Sequence, residues 1–313
     1  MQALLDRDAE IEQLDAALDE LPAGGPPALI VEGEPGIGKT RLLGELAERA
    51  RSRGGIVVAG HAAEYETTLP FAPWVDALDD HADAALALGP SDVAELARVL
   101  PSLKAAPDGE AGLVDERHRL HNSMRKLLGT LAGDGLLVVV LDDLHWADPS
   151  SIDLLGALLR RPPPGQVLLA LGYRPRQVAE RLRADVAVAE RDRRGVILRL
   201  DPLSLEATTV LAGGGDARTL YEESGGNPFY VEQLVRSVHK RSARRPTELS
   251  EEVPPRSPPL SRKRSGRSIP MSVWCCKARR SWVWSSTRSS SPTPRAWRLT
   301  RSSVASTCCS RPG

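Results

Sequence analysis

The stretch that decides the fold is ALIVEGEPGIGKT, residues 28–40. Its start, ALIVEG (28–33), is a short apolar run typical of a strand buried on both faces. Its end, Gly33-Glu34-Pro35-Gly36-Ile37-Gly38-Lys39-Thr40, fits the spacing G-x-x-x-x-G-K-[ST]. Glycines there let backbone N–H groups turn inward around phosphate oxygens with no Cβ in the way. The helix that opens next points its positive N-terminus at the same anion. Lys39 is long enough to reach β- and γ-phosphates, and Thr40 offers a hydroxyl to Mg2+. The plainer reading is a glycine turn between a strand and a helix. The stretch nevertheless sits where the motif requires, directly after a buried strand and at the start of an amphipathic helix.

Working outward, the helix runs from about Lys39 to Arg53 with Leu42, Leu43, Leu46 and Ala50 on one side. Upstream, Leu4, Ile11, Leu14, Leu18 and Leu21 mark one face of another helix, ended by Gly24-Gly25-Pro26-Pro27. Downstream, GIVVAG (55–60), LLVVVLDD (136–143), QVLLALGYR (166–174) and GVILRL (195–200) read as further buried strands. Residues 70–133 read as mainly helical, with breaks near Gly89-Pro90 and Pro107–Gly109. Asp148-Pro149-Ser150-Ser151 opens a helix with a capping residue and a proline in the first turn. Residues 204–239 read as helical, interrupted at 213–215 and at Gly225-Gly226-Asn227-Pro228. Strands alternating with helices indicate an α/β fold, a P-loop NTPase with a parallel sheet flanked by helices.

A P-loop ATPase needs a second strand whose carboxylate holds Mg2+. Leu136–Leu141 followed by Asp142-Asp143 supplies it. Asp142 is the expected metal partner with Thr40, and Asp143 the residue that polarises the attacking water. Carboxylates are common at strand ends, so the assignment leans on the loop upstream. Arg174 ends the next strand, on the edge of the sheet that borders the same crevice, and is read as a sensor of the γ-phosphate. The catalytic set is therefore Lys39, Asp143 and Arg174. His145 either senses phosphate, contacts a neighbouring module or is structural, the last being the commoner fate of a lone loop histidine. Trp146 is expected to pack beneath the loop.

GEPGIGKTRLL, LDDLHWADPSS, the strand ending GYRP and the late SGGNPFYVEQL occur in that order. This series resembles the ATPase modules of STAND-type regulators, above all the large ATP-binding LuxR-type transcription regulators of actinobacteria, and the related origin-recognition-like AAA ATPases. The resemblance covers roughly residues 1–245. It implies nucleotide contacts at Gly33, Glu34, Pro35, Gly36, Ile37, Gly38, Lys39, Thr40 and Arg41. It also implies that Pro228, after Asn227, rests against adenine in a small helical lid. Leu5-Asp6-Arg7-Asp8 is similar to the family's L-x-G-R-x-x-E start, which brings Arg7 toward the nucleotide; Asp6 stands where glycine is usual, which puts that local turn in question. Such modules are switches in which ATP and ADP favour different arrangements of core and lid. ATP/ADP and Mg2+ are the implied cofactors, with self-association or a regulatory protein as further partners.

The chain holds 41 Lys and Arg and 41 Asp and Glu, and the balance divides. Residues 1–240 carry 25 basic and 38 acidic side chains, net −13; residues 241–313 carry 16 and 3, net +13. All four cysteines and four of the six tryptophans lie beyond residue 270. So poor a supply of Leu, Ile and Val cannot build an ordinary core, and disorder is expected there. Back-translated with G+C-rich codons and read in a neighbouring frame, VPPRSPPLSRKRSG becomes AAAVAAALEEALG, a helical segment of the kind the resembled family has at that place. A frameshift near Val253–Pro255 is thus the leading account of the tail. A basic tail that binds nucleic acid or an acidic membrane surface is the competing one.

The expected domains are a P-loop ATPase core (1–203), a helical lid (204–245) and a disordered, frameshift-derived basic tail (246–313). The expected function is an ATP-binding, slowly hydrolysing regulatory switch that ends before its effector domain. An AAA-type ATPase acting on nucleic acid is the alternative; a small-molecule kinase is disfavoured by the GGNPF stretch. No helix-turn-helix pattern is visible, so no sequence-specific DNA reading is expected. No run approaches the roughly 18 apolar residues that span a bilayer, and the start does not read as a signal peptide. A cytoplasmic location follows by default.

Overall fold

The computed structural model describes residues 4–103, 113–214 and 216–242, and the two pairs 284–285 and 298–299. The chain forms two compact units, Met1–Thr247 and Glu248–Gly313. In the second, β6 (Trp284–Ser285) and β7 (Arg298–Leu299) pair antiparallel. Apart from these, the tail for which disorder and a frameshift are expected lies outside the described residues, as does the break at Pro107–Gly109.

The first unit is built on five parallel strands: β1 (Ala28–Glu32), β2 (Ile56–His61), β3 (Leu136–Asp142), β4 (Gln166–Tyr173) and β5 (Gly195–Arg199). Their order across the sheet is β2-β3-β4-β1-β5. The fold is that of a P-loop NTPase, a parallel sheet covered by helices on both faces. Alternation along each strand decides which side chain meets which layer. Val138 and Val140 of β3, with Leu168 and Ala170 of β4, pack toward α1 (Asp8–Glu20) and α2 (Lys39–Ser52). Leu137, Val139 and Leu141, with Val167, Leu169 and Leu171, face the opposite layer. That layer holds α3 (Ala72–Leu78), α4 (Pro90–Leu96), α5 (Leu113–Ala132), α6 (Pro149–Arg160) and α7 (Glu180–Arg191). Burial of each such aliphatic side chain contributes about 1.5–3 kcal/mol, which makes β3 and β4 the anchor of the sheet. The loops at their C-terminal ends hang from a rigid frame.

Between α3 and α4 the chain is a 3-10 segment, Asp79–Ala87, where the sequence reads simply as helix. The start of α6 follows its signals closely. Asp148 Oδ1 accepts the Ser151 N–H at 3.0 Å, with Pro149 in the first turn. After β5 come two short helices, α8 (Leu205–Ala212) and α9 (Ala217–Ser224), and the longer α10 (Pro228–Ser242), each packed on the other two. Gly213 and Gly225 end the first two in the left-handed conformation. No helix among the described residues is long and apolar enough to cross a membrane.

Candidate functional site

The glycine-rich loop Gly33–Gly38 leaves β1 and feeds α2 at the C-terminal edge of the sheet. Gly36 and Gly38 take φ of +77° and +113°, values that glycine reaches without strain. Lys39 is only 6% exposed. Its Nζ donates to Gly33 O at 2.9 Å and to Glu34 O at 3.1 Å, so the ammonium is held against the loop's own carbonyls. Burial pulls its pKa down; the carboxylates of Asp143 and Asp142 oppose the shift.

Asp142 continues the Val138–Val140 alternation, so its carboxylate points to the α2 side and is 6% exposed. Thr40 Oγ1 donates to Asp142 Oδ2 at 2.6 Å, and the Asp143 N–H donates to Oδ1 at 2.8 Å. One neutral and one anionic oxygen in contact form a hard-oxygen donor pair suited to Mg2+, which takes few protein ligands and keeps waters and phosphate oxygens for the rest. Gly172 makes this approach possible. A Cβ there would stand 2.4 Å from Asp142 Oδ1 and 2.8 Å from Leu43 Cδ1.

Asp143 turns the chain at φ +52°, a left-handed position that aspartate tolerates better than most residues. Burial, then the Asp142 charge, pushes its pKa up. Each of its oxygens faces a histidine: Oδ2 lies 3.7 Å from His61 Nε2 and Oδ1 lies 3.8 Å from His145 Nδ1. Arg174 follows β4 directly, two residues past Gly172. It contributes to the electrostatic surroundings of Lys39, Asp143 and His145. Its Nη1 donates to Gln177 Oε1 at 3.1 Å, while its buried Nε has no partner among the described residues. Tyr173 points the other way, and its hydroxyl donates to Glu32 Oε1 at 2.6 Å, tying β4 to β1.

The other wall comes from the N-terminal arm and the three-helix group. Arg7 is 6% exposed, and its Nη2 donates to Asp201 O at 2.6 Å and to Ile37 O at 3.5 Å. Asp6 answers the question raised by its replacement of glycine. It adopts φ +57°, and its Oδ2 accepts the Ser204 N–H at 2.7 Å, a bond glycine could not make. That bond holds its pKa low. Asn227 Nδ2 donates to Pro35 O at 2.9 Å, and the Phe229 N–H donates to Gly36 O at 3.3 Å. Pro228, Leu4, Leu5, Arg7, Ile37 and Arg41 line a mostly apolar slot beside the loop.

The AAA ATPase domain family matches residues 3–170, a span that contains the arm, the glycine loop and the acidic end of β3. This chain belongs to the AAA ATPase domain family. The chain is 26% identical, over 281 residues, to an uncharacterized protein of Rhizobium meliloti (strain 1021). The match covers 80% of this chain and 26% of that protein, so the chain spans about a quarter of the length of its curated relative. Among solved structures it is similar to Cdc6p from Pyrobaculum aerophilum, with a TM-score of 0.46 and 16% identity over 78% of this chain and 64% of that one. It is similar to the Aeropyrum pernix ORC1 protein in complex with DNA, with a TM-score of 0.43 and 16% identity over 80% and 64%. It is also similar to AMPPCP-bound DnaA from Aquifex aeolicus, with a TM-score of 0.40 and 16% identity over 76% and 64%.

Of the residues singled out from sequence, Arg7, Ile37, Gly38, Arg41 and Pro228 line the slot, while Thr40 bonds Asp142 and the charges of Asp142, Asp143 and Arg174 act on Lys39. Sequence reasoning missed Gly172, His61 and the side chain of Asn227 as parts of the site. Gly172 carried a signal, since a lone glycine inside an apolar strand often marks a close approach. His61 carried none: its place beside Asp143 follows from the pairing of β2 with β3, in which His61 stands opposite Asp142.

Proposed function

We propose that this AAA ATPase domain binds ATP or ADP with Mg2+ in the crevice and hydrolyses ATP slowly, as the switch module of a STAND- or LuxR-type regulator. The observation that carries this reading is the direct bonding of Asn227 and Phe229 to the carbonyls of Pro35 and Gly36. A loop that wraps phosphate and is also gripped by the start of α10 links occupancy of the site to the stance of the three-helix group. In this reading residues 1–203 are the core and 204–245 the lid.

The glycine-loop N–H groups and the start of α2 receive the phosphates. Lys39 exchanges its two loop carbonyls for β- and γ-phosphate oxygens. Thr40 and Asp142 would hold Mg2+, which when bound neutralises charge on the phosphates. Asp143 orients the attacking water and takes its proton, a role helped by a pKa already shifted upward. Arg174 faces the developing charge on the γ-phosphate. Pro228 and Arg7 sit at the adenine side, in the slot they share with Leu4 and Leu5.

A switch needs a difference in nucleotide affinity between two arrangements. Hydrogen exchange across residues 204–237, recorded empty, with ADP and with a non-hydrolysable ATP analogue, tests this. Protection that differs between the two nucleotides supports the switch; identical profiles in all three states refute it. A second reading, an ATPase acting on nucleic acid, draws on the net charge of +13 over residues 241–313. Salt-dependent binding of single-stranded DNA by the full chain, absent from residues 1–245, would favour it.

A further inference from the structure

His145 lies two residues past Asp143, in the single 3-10 turn Leu144–Trp146. Its side chain is 0% exposed, and neither ring nitrogen has a hydrogen-bond partner among the described residues. A buried imidazole in that state has given up the hydration of both nitrogens without return, and such groups are rare enough to ask for a reason. Packing alone supplies none, because an aliphatic side chain would fill the same space and strand nothing. The ring is held from one side by Trp146, whose centroid is 5.1 Å away. Its Nδ1 stands 3.8 Å from Asp143 Oδ1, just beyond the reach of an N–H···O bond.

The electrostatics favour a neutral donor at this point. Burial, together with Arg174, Lys39 and His61, pulls the His145 pKa to about 4, so at neutral pH the ring carries one N–H and one lone pair. Asp143 already has the cations Lys39 and Arg174 and the anion Asp142 around it. A neutral N–H can fix the direction of that carboxylate without changing the charge of the site. His61 faces the second oxygen from the end of β2, but its side chain is 55% exposed and can turn into solvent. His145 cannot.

We propose that His145 is a positioning residue for Asp143, its Nδ1–H closing onto Oδ1 in the reacting state and aiming the carboxylate at the attacking water. The inference rests on the role proposed above for Asp143. It is tested by the kcat and KM of ATP hydrolysis with the full chain, comparing His145→Asn and His145→Leu, each alone and combined with Asp143→Asn. His145→Asn keeps a donor near the place of Nδ1 and should retain most of the rate. His145→Leu keeps the buried volume without a donor, and kcat should fall about tenfold to a hundredfold with little change in KM. In the Asp143→Asn background the same Leu substitution should cost nothing further.

A packing role predicts the reverse order, with Leu tolerated and the buried amide of Asn harmful; that order overturns the proposal. Equal losses from His145→Leu with and without Asp143 overturn it too. If the Leu variant fails to fold, His145→Gln, whose amide lies nearer the place of Nε2, takes its part and should be as slow. If Asp143→Asn alone leaves hydrolysis unchanged, the role of Asp143 fails and that of His145 falls with it. If Asp143→Asn is slow but the two losses multiply, only the inference about His145 fails.

Discussion

At one end of the crevice Thr40 and Asp142 share a 2.6 Å bond between side chains carried by α2 and β3, with Lys39 and Asp142 each 6% exposed. At the other end Asn227 and Phe229 reach the glycine loop through two bonds at the surface, and Phe229 is 44% exposed. The first end is fastened to strands buried on both faces. The second is fastened to a group of three helices whose described side chains belong to neither of the two cores around the sheet. The number of hydrogen bonds, one against two, is therefore no guide to how firmly each end is held. The bond from Thr40 ends on a buried carboxylate, which cannot lose its partner without a penalty, whereas bonds between surface groups break at small net cost. Under the proposed function, the strand end fixes where phosphate and metal would sit, and the helical end opens and closes on them.

The comparison is sharpened most by Asp143→Asn. It should leave ATP affinity within about twofold and lower kcat by roughly a hundredfold or more, as expected for loss of a positioned general base. An unchanged turnover rate would remove the strand end from the chemistry. Lys39→Ala should weaken ATP binding by roughly tenfold to a hundredfold, the worth of a charge-assisted contact to phosphate. Titration with a fluorescent ATP analogue reads this, and unaltered affinity would break the assignment of the loop.

Gly36→Ala strikes where the two ends meet. The new Cβ would stand 2.5 Å from Phe229 Cβ at a φ of +77°. Strain and overpacking together should cost about 1–3 kcal/mol, seen as a thermal midpoint lowered by several degrees. A neutral result would mean that α10 does not rest on the loop. Asn227→Ala should be the mildest, about 1 kcal/mol or less for one surface bond. Its sign should appear in kinetics, as faster nucleotide release in stopped flow with the core unchanged. If release is not faster, the Asn227 bond does not latch the lid.

Much of this arrangement was legible in the chain. ALIVEGEPGIGKT carries its own instructions: an apolar run long enough for a buried strand, glycines where φ must be positive, and a helix former as soon as the loop ends. LLVVVLDD announces a buried strand that ends in carboxylates, and Asp148-Pro149-Ser150-Ser151 announces a helix start. These signals are local, since backbone conformation and burial preference are properties of a few adjacent residues. The doubt that Asp6 cast on the opening turn was not upheld, since Asp6 takes φ +57° there. Only its compensation, the bond to Ser204, was hidden.

What the tertiary structure decided were meetings across sequence. Parallel pairing of β2 with β3 brings His61 to Asp143, and the period of two along β4 places Gly172 on the loop side while Tyr173 turns to Glu32. The return of the chain after β5 sets Asn227 on Pro35 from 192 residues away. No local preference encodes such contacts. They are set by strand order and by which face each residue meets, and those are fixed only when the whole sheet closes around its two cores. The sequence by itself determined the loop and the acids beside it; packing chose their neighbours.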